Sequence, residues 1–258
     1  MKAKKSYGQH FLTSERIAEQ IADSIQLVDS WKYVLEVGPG KGMLTKYLLK
    51  KPYPLTLVEA DKDMVDYLNV HYPGMDIKFD DFLQLDFKKV FGDEPFALIG
   101  NFPYNISSQI VFKMIDHKDQ IPEMVGMFQK EVADRMVATP DNGKEYGILS
   151  ILIQAWYDAT YLFGVDRSNF NPPPKVQSAV VRLVRKSNLD IGCDEKLFKN
   201  LVKTTFNQRR KMLRNTLKQF VPDETFLSDP QYTKRPEDFS VTDFIALTNR
   251  VSEFRAAK

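Results

Sequence analysis

A short apolar run, Tyr33–Val37, empties into Glu36-Val37-Gly38-Pro39-Gly40-Lys41-Gly42, and no other feature limits the possible folds so tightly. A strand that stops in three alternate glycines must turn sharply. Glycine supplies the backbone freedom and the close approach to a ligand that such a turn permits. Residues 43–50 have helical character, so unpaired N–H groups of a helix N-terminus are expected behind the turn. A nucleotide-like ligand suits that arrangement. A dinucleotide site more usually carries GxGxxG, and the GxGxG spacing here departs from it.

Around this unit, strand and helix alternate. Apolar runs at 33–37, 55–59, 75–79, 96–100 and 124–128 read as strands, and 62–71, 107–115 and 130–138 as helices. Ile17, Ile21 and Ile25 repeat at four within a helix expected over 14–27, with Thr13 or Ser14 as its cap. Alternation of this kind predicts an α/β fold, a parallel sheet with helices on both faces. Two β-rich runs, 159–165 and 178–184, flank the Pro-rich stretch 171–175 and are expected as a terminal antiparallel pair. Strand signals vanish beyond a polar break at 185–190. Phe198, Val202 and Phe206 then repeat at four, as do Leu213 and Leu217, and 239–254 is helical with Ser240 or Thr242 as cap. Two domains are therefore expected, residues 1–186 and a small helical one, 187–258.

Composition narrows the class. The single cysteine, Cys193, excludes an intrachain disulfide and a Cys-rich zinc site. The basic N-terminus has no apolar core of a secretory signal, and no apolar stretch is long enough to span a bilayer. A cytoplasmic protein without metal or membrane partner is expected. Net charge is +2 but uneven: residues 185–258 carry 15 basic and 10 acidic side chains. Seven basic and no acidic residues lie between Lys199 and Lys218, which points to a nucleic-acid face.

Strand ends carry the polar residues. Glu59 ends the second strand, where a carboxylate can accept both hydroxyls of a ribose. Asp81 follows the third and can accept an adenine amino group. Asn101-Phe102-Pro103-Tyr104 follows the apolar run that ends at Gly100. Carbonyl oxygens in such a loop can accept both N–H bonds of an exocyclic amine while an aromatic ring stacks on the base. In a doubly wound sheet these ends converge on one crevice. The combination points to methyl transfer onto an amino group of a nucleic-acid base.

Six segments in order resemble one family: Gly8-Gln9-His10-Phe11-Leu12; EVGPGKGMLT at 36–45; Asn101-Phe102-Pro103-Tyr104-Asn105-Ile106-Ser107; Gln129-Lys130-Glu131-Val132; FNPPPKVQS at 170–178; and FNQRRKMLRNTL at 206–217. The chain is similar along most of its length to the small-subunit ribosomal RNA adenine-N6,N6-dimethyltransferases. The resemblance implies a Rossmann-like seven-stranded sheet of the S-adenosylmethionine-dependent methyltransferase type, followed by a small all-α C-terminal domain. It implies S-adenosyl-L-methionine as cofactor. The substrate would be two adjacent adenosines in the 3′-terminal hairpin loop of small-subunit rRNA, within an immature 30S particle. His10 and Leu12 would line the cofactor, Gly38 its methionine part and Asn101 its reacting end, with Glu36, Gly40, Gly42, Glu59, Asp81 and Phe82 completing the set. His10 stands where many bacterial relatives carry Asn, and Phe102 where Leu is usual.

In the expected chemistry, Asn101 Oδ1 and the Pro103 carbonyl hold the N6 amine, and Tyr104 stacks on the flipped-out adenine. Phe170, set by Pro172-Pro173-Pro174, would form the other wall. Arg209, Arg210, Lys211, Arg214 and Lys218 would bind RNA phosphates, with Lys4, Lys5 and Lys175 adding to that surface. The competing readings are a large-subunit rRNA adenine methylase, a non-enzymatic ribosome-assembly factor and a nicotinamide-dependent dehydrogenase. The intact loops argue against the second, and no hydride-transfer machinery supports the third.

Overall fold

Strands that are apolar throughout their length belong in the middle of a parallel sheet, where both faces are covered. The computed structural model, which describes residues 9–257, places them there. In chain order the elements are β1 (Phe11–Leu12), α1 (Glu15–Ala22), β2 (Tyr33–Val37), α2 (Thr45–Leu48), β3 (Leu55–Glu59), α3 (Lys62–His71), β4 (Asp76–Phe79), α4 (Phe87–Phe91), β5 (Phe96–Asn101), α5 (Ser107–Asp116), β6 (Glu123–Gln129) and α6 (Lys130–Val137). Then come α7 (Ile148–Trp156), β7 (Tyr157–Val165), β8 (Phe170–Asn171), β9 (Ser178–Arg185), α8 (Glu195–Asn207), α9 (Leu213–Leu217), α10 (Glu224–Leu227) and α11 (Val241–Ala256).

Seven strands form one sheet in the order β4-β3-β2-β5-β6-β9-β7. The pairs from β4 through β6 are parallel, and β9 runs antiparallel to β6, with Gln129 opposite Ser178. The central strands β2, β5 and β6 are almost wholly buried, whereas the edge strand β4 is not. Strand order reverses at β2, so a crevice opens beyond the carboxyl ends of β2 and β5. The short pair β1–β8, which the sequence patterns do not signal, sets Leu12 opposite Phe170.

Two expected helices are shorter than their patterns. The one expected over 14–27 begins at the Ser14 cap but stops at Ala22. The buried carboxylate of Glu123 accepts hydrogen bonds from Gln26 N (3.0 Å), Leu27 N (2.9 Å) and Trp31 Nε1 (3.0 Å). Those bonds satisfy backbone donors that a longer helix would have used. Ile25 is still buried, but from the turn. Likewise only Thr45–Leu48 of the expected 43–50 is helical.

The chain divides into two compact units. The first holds residues 9–133 and 158–185, and the second Asp134–Tyr157 and 186 onward. The segment 134–157, which the sequence patterns place with the sheet, groups with the C-terminal helices. Its helix α7 carries no periodic signal because nearly every side chain is buried. Within the second unit Trp156 meets Phe198 edge-on at 5.9 Å, and Phe206 meets Phe244 at 6.0 Å. Phe198, Val202 and Phe206 do line the buried face of α8, and Ser240 caps α11 through a capping box with Asp243. Among the described residues, no helix is long and apolar enough to cross a membrane.

Phe102 accounts for two glycines on adjacent strands. A Cβ on Gly126 would lie 2.2 Å from Phe102 Cε2 and 2.6 Å from Phe128 Cε2. One on Gly100 would lie 2.6 Å from Val37 O and 2.8 Å from Phe102 Cε1. The buried Phe102 ring thus fits a trough cut by missing side chains, and packs on Phe128 at 5.1 Å. Overpacking here cannot be relieved by one flexible side chain, so Gly126→Ala is expected to destabilise the protein by about 2–3 kcal/mol in denaturant melts. Pairing it with Phe102→Leu should recover part of that loss; a neutral single variant would contradict the packing.

Candidate active site

At the end of β2 the chain turns with positive φ at Gly38 (66°), Gly40 (56°) and Gly42 (79°). Glu59, at the end of the neighbouring β3, fastens this turn. Its Oε2 accepts from Gly40 N at 3.1 Å, and its Oε1 from Asp61 N at 2.9 Å. Each oxygen keeps a further acceptor position. Glu36 is 1% exposed and accepts the Thr45 hydroxyl at 2.7 Å. Burial raises both carboxyls, Glu36 up to about 8, with neighbouring Glu59 adding to the rise at Glu36.

Opposite the glycine turn stands the end of β5. Asn101 Nδ2 donates to the backbone carbonyl of His10 at 3.0 Å. A carbonyl can only accept, so this bond fixes which end of the amide is nitrogen. Oδ1 then has no hydrogen-bond partner among the described residues. Pro103 carries its carbonyl to Ile106 N at 3.2 Å. The Tyr104 ring stacks on the His10 imidazole, centroids 5.4 Å apart, and its hydroxyl hydrogen-bonds the Ser178 hydroxyl. His10 Nδ1–H in turn donates to Pro172 O at 2.9 Å.

Beyond β4, Asp81 Oδ1 accepts from Leu83 N at 2.9 Å, and the Phe82 ring is buried beside it. A cavity of about 570 Å³ joins these groups. That volume suits a ligand of nucleoside size. His10, Leu12, Glu36, Gly38, Gly40, Glu59, Asp81, Phe82, Asn101, Pro103 and Tyr104 all line it. Its wall is mixed, with two buried carboxyls, an exposed one at Asp81, a free amide oxygen and several apolar side chains. That donor set fits a ligand bearing hydroxyls, an amine and a planar ring.

Other expected site residues lie elsewhere. Gly42 does not line this cavity. A Cβ there would fall 2.5 Å from Tyr72 Cε2, and its carbonyl accepts the Tyr72 hydroxyl at 3.0 Å, so it belongs to the packing of the turn. Phe170, expected as a second wall for a base, is 3% exposed and packed in the core with Leu12, Val165 and Val180. Its pairing with β1 draws the ring inward. Lys175 is exposed, and Lys4 and Lys5 lie outside the described residues. In the second unit Arg210, Lys211, Arg214 and Lys218 are exposed. Arg209 instead donates to Lys144 O at 2.9 Å and Gly143 O at 2.6 Å, and pairs with Glu237 at 3.5 Å. Its guanidinium thus holds a loop, and the side chain, still 31% exposed, is already committed to these partners.

Sequence reasoning missed Ser178, whose hydroxyl holds Tyr104 from 74 residues away, and Lys113 on α5, whose ammonium meets backbone carbonyls behind Asp81. Serine at a strand start and lysine on a helix carry no signal by themselves. Among the described residues no group of three or more His, Cys, Asp or Glu side chains could hold a metal ion.

The sequence model of a family described as "Ribosomal RNA adenine dimethylase" matches residues 1–235. "Ribosomal RNA small subunit methyltransferase A" of Phocaeicola vulgatus is 54% identical over 254 residues, covering 97% of this chain and 90% of that protein. Its counterpart from Bacteroides thetaiotaomicron is 52% identical over 256 residues, covering 98% and 95%. Among solved structures, a dimethyladenosine transferase from Plasmodium falciparum superposes with a TM-score of 0.78 at 26% identity, covering 95% of this chain and 98% of that one. The 23S rRNA methyltransferase ErmE gives 0.67 at 25% identity, covering 93% and 99%. The sheet with its C-terminal helices is thus the Rossmann-like methyltransferase fold of these proteins.

Burial of Glu36 has a pH signature. Its folded-state pKa of about 8 lies above the ordinary 4.5, so the protonated form is favoured on folding. The associated stability is complete below about pH 4.5 and is lost as pH rises through about 8. Glu36→Gln preserves an acceptor for Thr45 and removes the titration. Thermal melts between about pH 5 and about pH 8 should fall less steeply in that variant than in the parent; parallel slopes would contradict the assignment.

Proposed function

Because the chain belongs to the ribosomal RNA adenine dimethylase family, we propose that it methylates N6 of two adjacent adenosines in the 3′-terminal hairpin loop of small-subunit rRNA. Family and fold imply S-adenosylmethionine as the methyl donor. The observation that carries the reading is the Asn101 amide. Its nitrogen is bound to His10 O, which leaves Oδ1 as an acceptor at the cavity wall.

Bound in this cavity, S-adenosylmethionine supplies an activated methyl group on a sulfonium. The chain's task is then positional. Glu59 would accept the ribose hydroxyls and Asp81 the adenine amine, and Gly38 would line the methionine part. His10, Leu12, Glu36, Gly40 and Phe82 close the remaining walls. Asn101 Oδ1 and the Pro103 carbonyl accept N–H bonds from the target amine and turn its lone pair toward the donor. Positive charge developing on N6 during transfer would fall opposite these oxygens, which would stabilise it. The proton leaves to water, so no side chain need act as base. Tyr104 stacks on the flipped adenine, a contact worth about 1–3 kcal/mol. Its hydroxyl bond to Ser178 holds the ring in place.

Exposed Arg210, Lys211 and Arg214 contact phosphates without reading sequence, and in the first unit exposed Lys175 is a further candidate for the same role. The substrate is an immature 30S particle in the cytoplasm. The likeness to a 23S rRNA methyltransferase gives the second reading, methylation of large-subunit rRNA. Mass spectrometry of both rRNAs from cells lacking the protein separates the two. Loss of a dimethyladenosine pair from the small subunit supports the first, and loss from the large subunit alone supports the second.

Asn101→Ala should lower kcat by about 10²–10³-fold while changing cofactor affinity by no more than about threefold. Equal losses in both would remove Asn101 from its assigned role. Glutamate at Arg210 or Lys211 should flatten the salt dependence of RNA binding by about one counterion each. Arg209→Glu should lower the melting temperature instead, because it frees two carbonyls and reverses an ion pair.

A further inference from the structure

We propose that Lys113 is a positioning residue for adenine recognition, setting the loop that carries Asp81; this rests on the cofactor reading above. Lys113 Nζ donates to Phe82 O at 2.8 Å, Leu83 O at 3.1 Å and Leu85 O at 2.6 Å. An ammonium has three N–H donors, and all three are used on carbonyls of one loop. It also lies 4.6 Å from the centroid of the Phe87 ring and 5.3 Å from that of Phe82. Burial lowers its pKa, while Asp81, Asp80 and Asp86 oppose that fall.

The loop these bonds shape is one tight turn. Gln84 N and Leu85 N both donate to Asp81 O, at 2.9 and 3.0 Å. Leu83 N donates to Asp81 Oδ1. The same peptide segment thus presents its N–H to the Asp81 carboxylate on one side and its carbonyls to Lys113 on the other. Carbonyls gathered within reach of one another repel unless a cation sits among them. With the cation there, Leu83 N–H is held toward Asp81, one carboxylate oxygen is fixed, and the other is left for a ligand's amine. Phe82 is pinned in the same turn, its ring buried at the cavity wall. Lys113 does not line the cavity.

A residue that only stabilised the fold would weaken every ligand alike. One that sets Asp81 must weaken an amine-bearing purine in particular. The probes are S-adenosylhomocysteine and its inosyl analogue, in which an oxo group replaces the 6-amine, titrated calorimetrically into the full chain. The parent should prefer the adenosyl ligand by about tenfold or more. Lys113→Met should cost the adenosyl ligand about tenfold and the inosyl ligand less than about twofold, so that discrimination collapses. Lys113→Arg keeps the charge, but a planar guanidinium cannot set its donors on these three carbonyls from one point as the ammonium does. It should lose discrimination in the same direction and serves if the Met variant does not fold. Equal weakening of both ligands, or an unchanged ratio, would overturn the role. A parent that binds neither ligand would defeat the cofactor reading itself, and this inference with it.

Discussion

One buried carboxylate ties the sheet to its cavity. Glu59 ends β3 and accepts from the backbone of Gly40 and of Asp61. The first bond fixes the glycine turn after β2, and the second fixes the start of α3. The turn has no regular helix directly behind it, since α2 begins only at Thr45. Its shape therefore depends on positive φ at the glycines and on this bond. Glu36 sits at the end of the adjacent strand and is held by Thr45. Burial raises the pKa of each acid, and the neighbouring charge of Glu59 adds to the rise at Glu36. A ligand with hydroxyl donors and positive charge relieves that penalty, so the cavity is poised for such a ligand rather than for an anionic one.

Much of this arrangement was legible because it is local in sequence. The glycine turn, Glu59, Asp81 and Asn101 each follow an apolar run that announces its own end. The sheet then carries them to one crevice by topology alone. What was not legible depends on distant partners. The early stop of α1 is decided by Glu123, about a hundred residues on. Helix α7 is apolar on all sides and so has no period to read. Phe170 has an aromatic ring beside a rigid proline run, which suggests a wall, yet strand pairing with β1 draws it into the core. Arg209 belongs to a basic block by sequence, while its geometry commits it to the 143–144 carbonyls.

Packing beneath the site is as specific as the site itself. Phe102 stands in the middle of the Asn101–Tyr104 loop, but its ring faces down onto Gly100 and Gly126. The residues on either side are thereby anchored: Asn101 continues β5 in register with Met127 of β6, and Phe102 N bonds Met127 O. The loop gains rigidity from this plug. A ring of this size is accommodated because two glycines make room for it.

The two acceptors assigned to the target amine are not equivalent, and the difference bears on a reaction that must run twice. After one methylation the amine keeps a single N–H. The Pro103 carbonyl already receives Ile106 N, so it remains partnered if the substrate bond is lost. Asn101 Oδ1 has no such second donor among the described residues, and leaving it unmet in a partly buried site costs more. On the proposed assignment, the remaining N–H would be better spent on Asn101, with the first methyl group turned toward Pro103. Its ring carbons also pack against the glycine turn, where a Cβ on Gly38 would lie 3.7 Å from Pro103 Cδ. On that assignment, turning the methyl group this way would leave the hydrogen bonds of the loop itself in place.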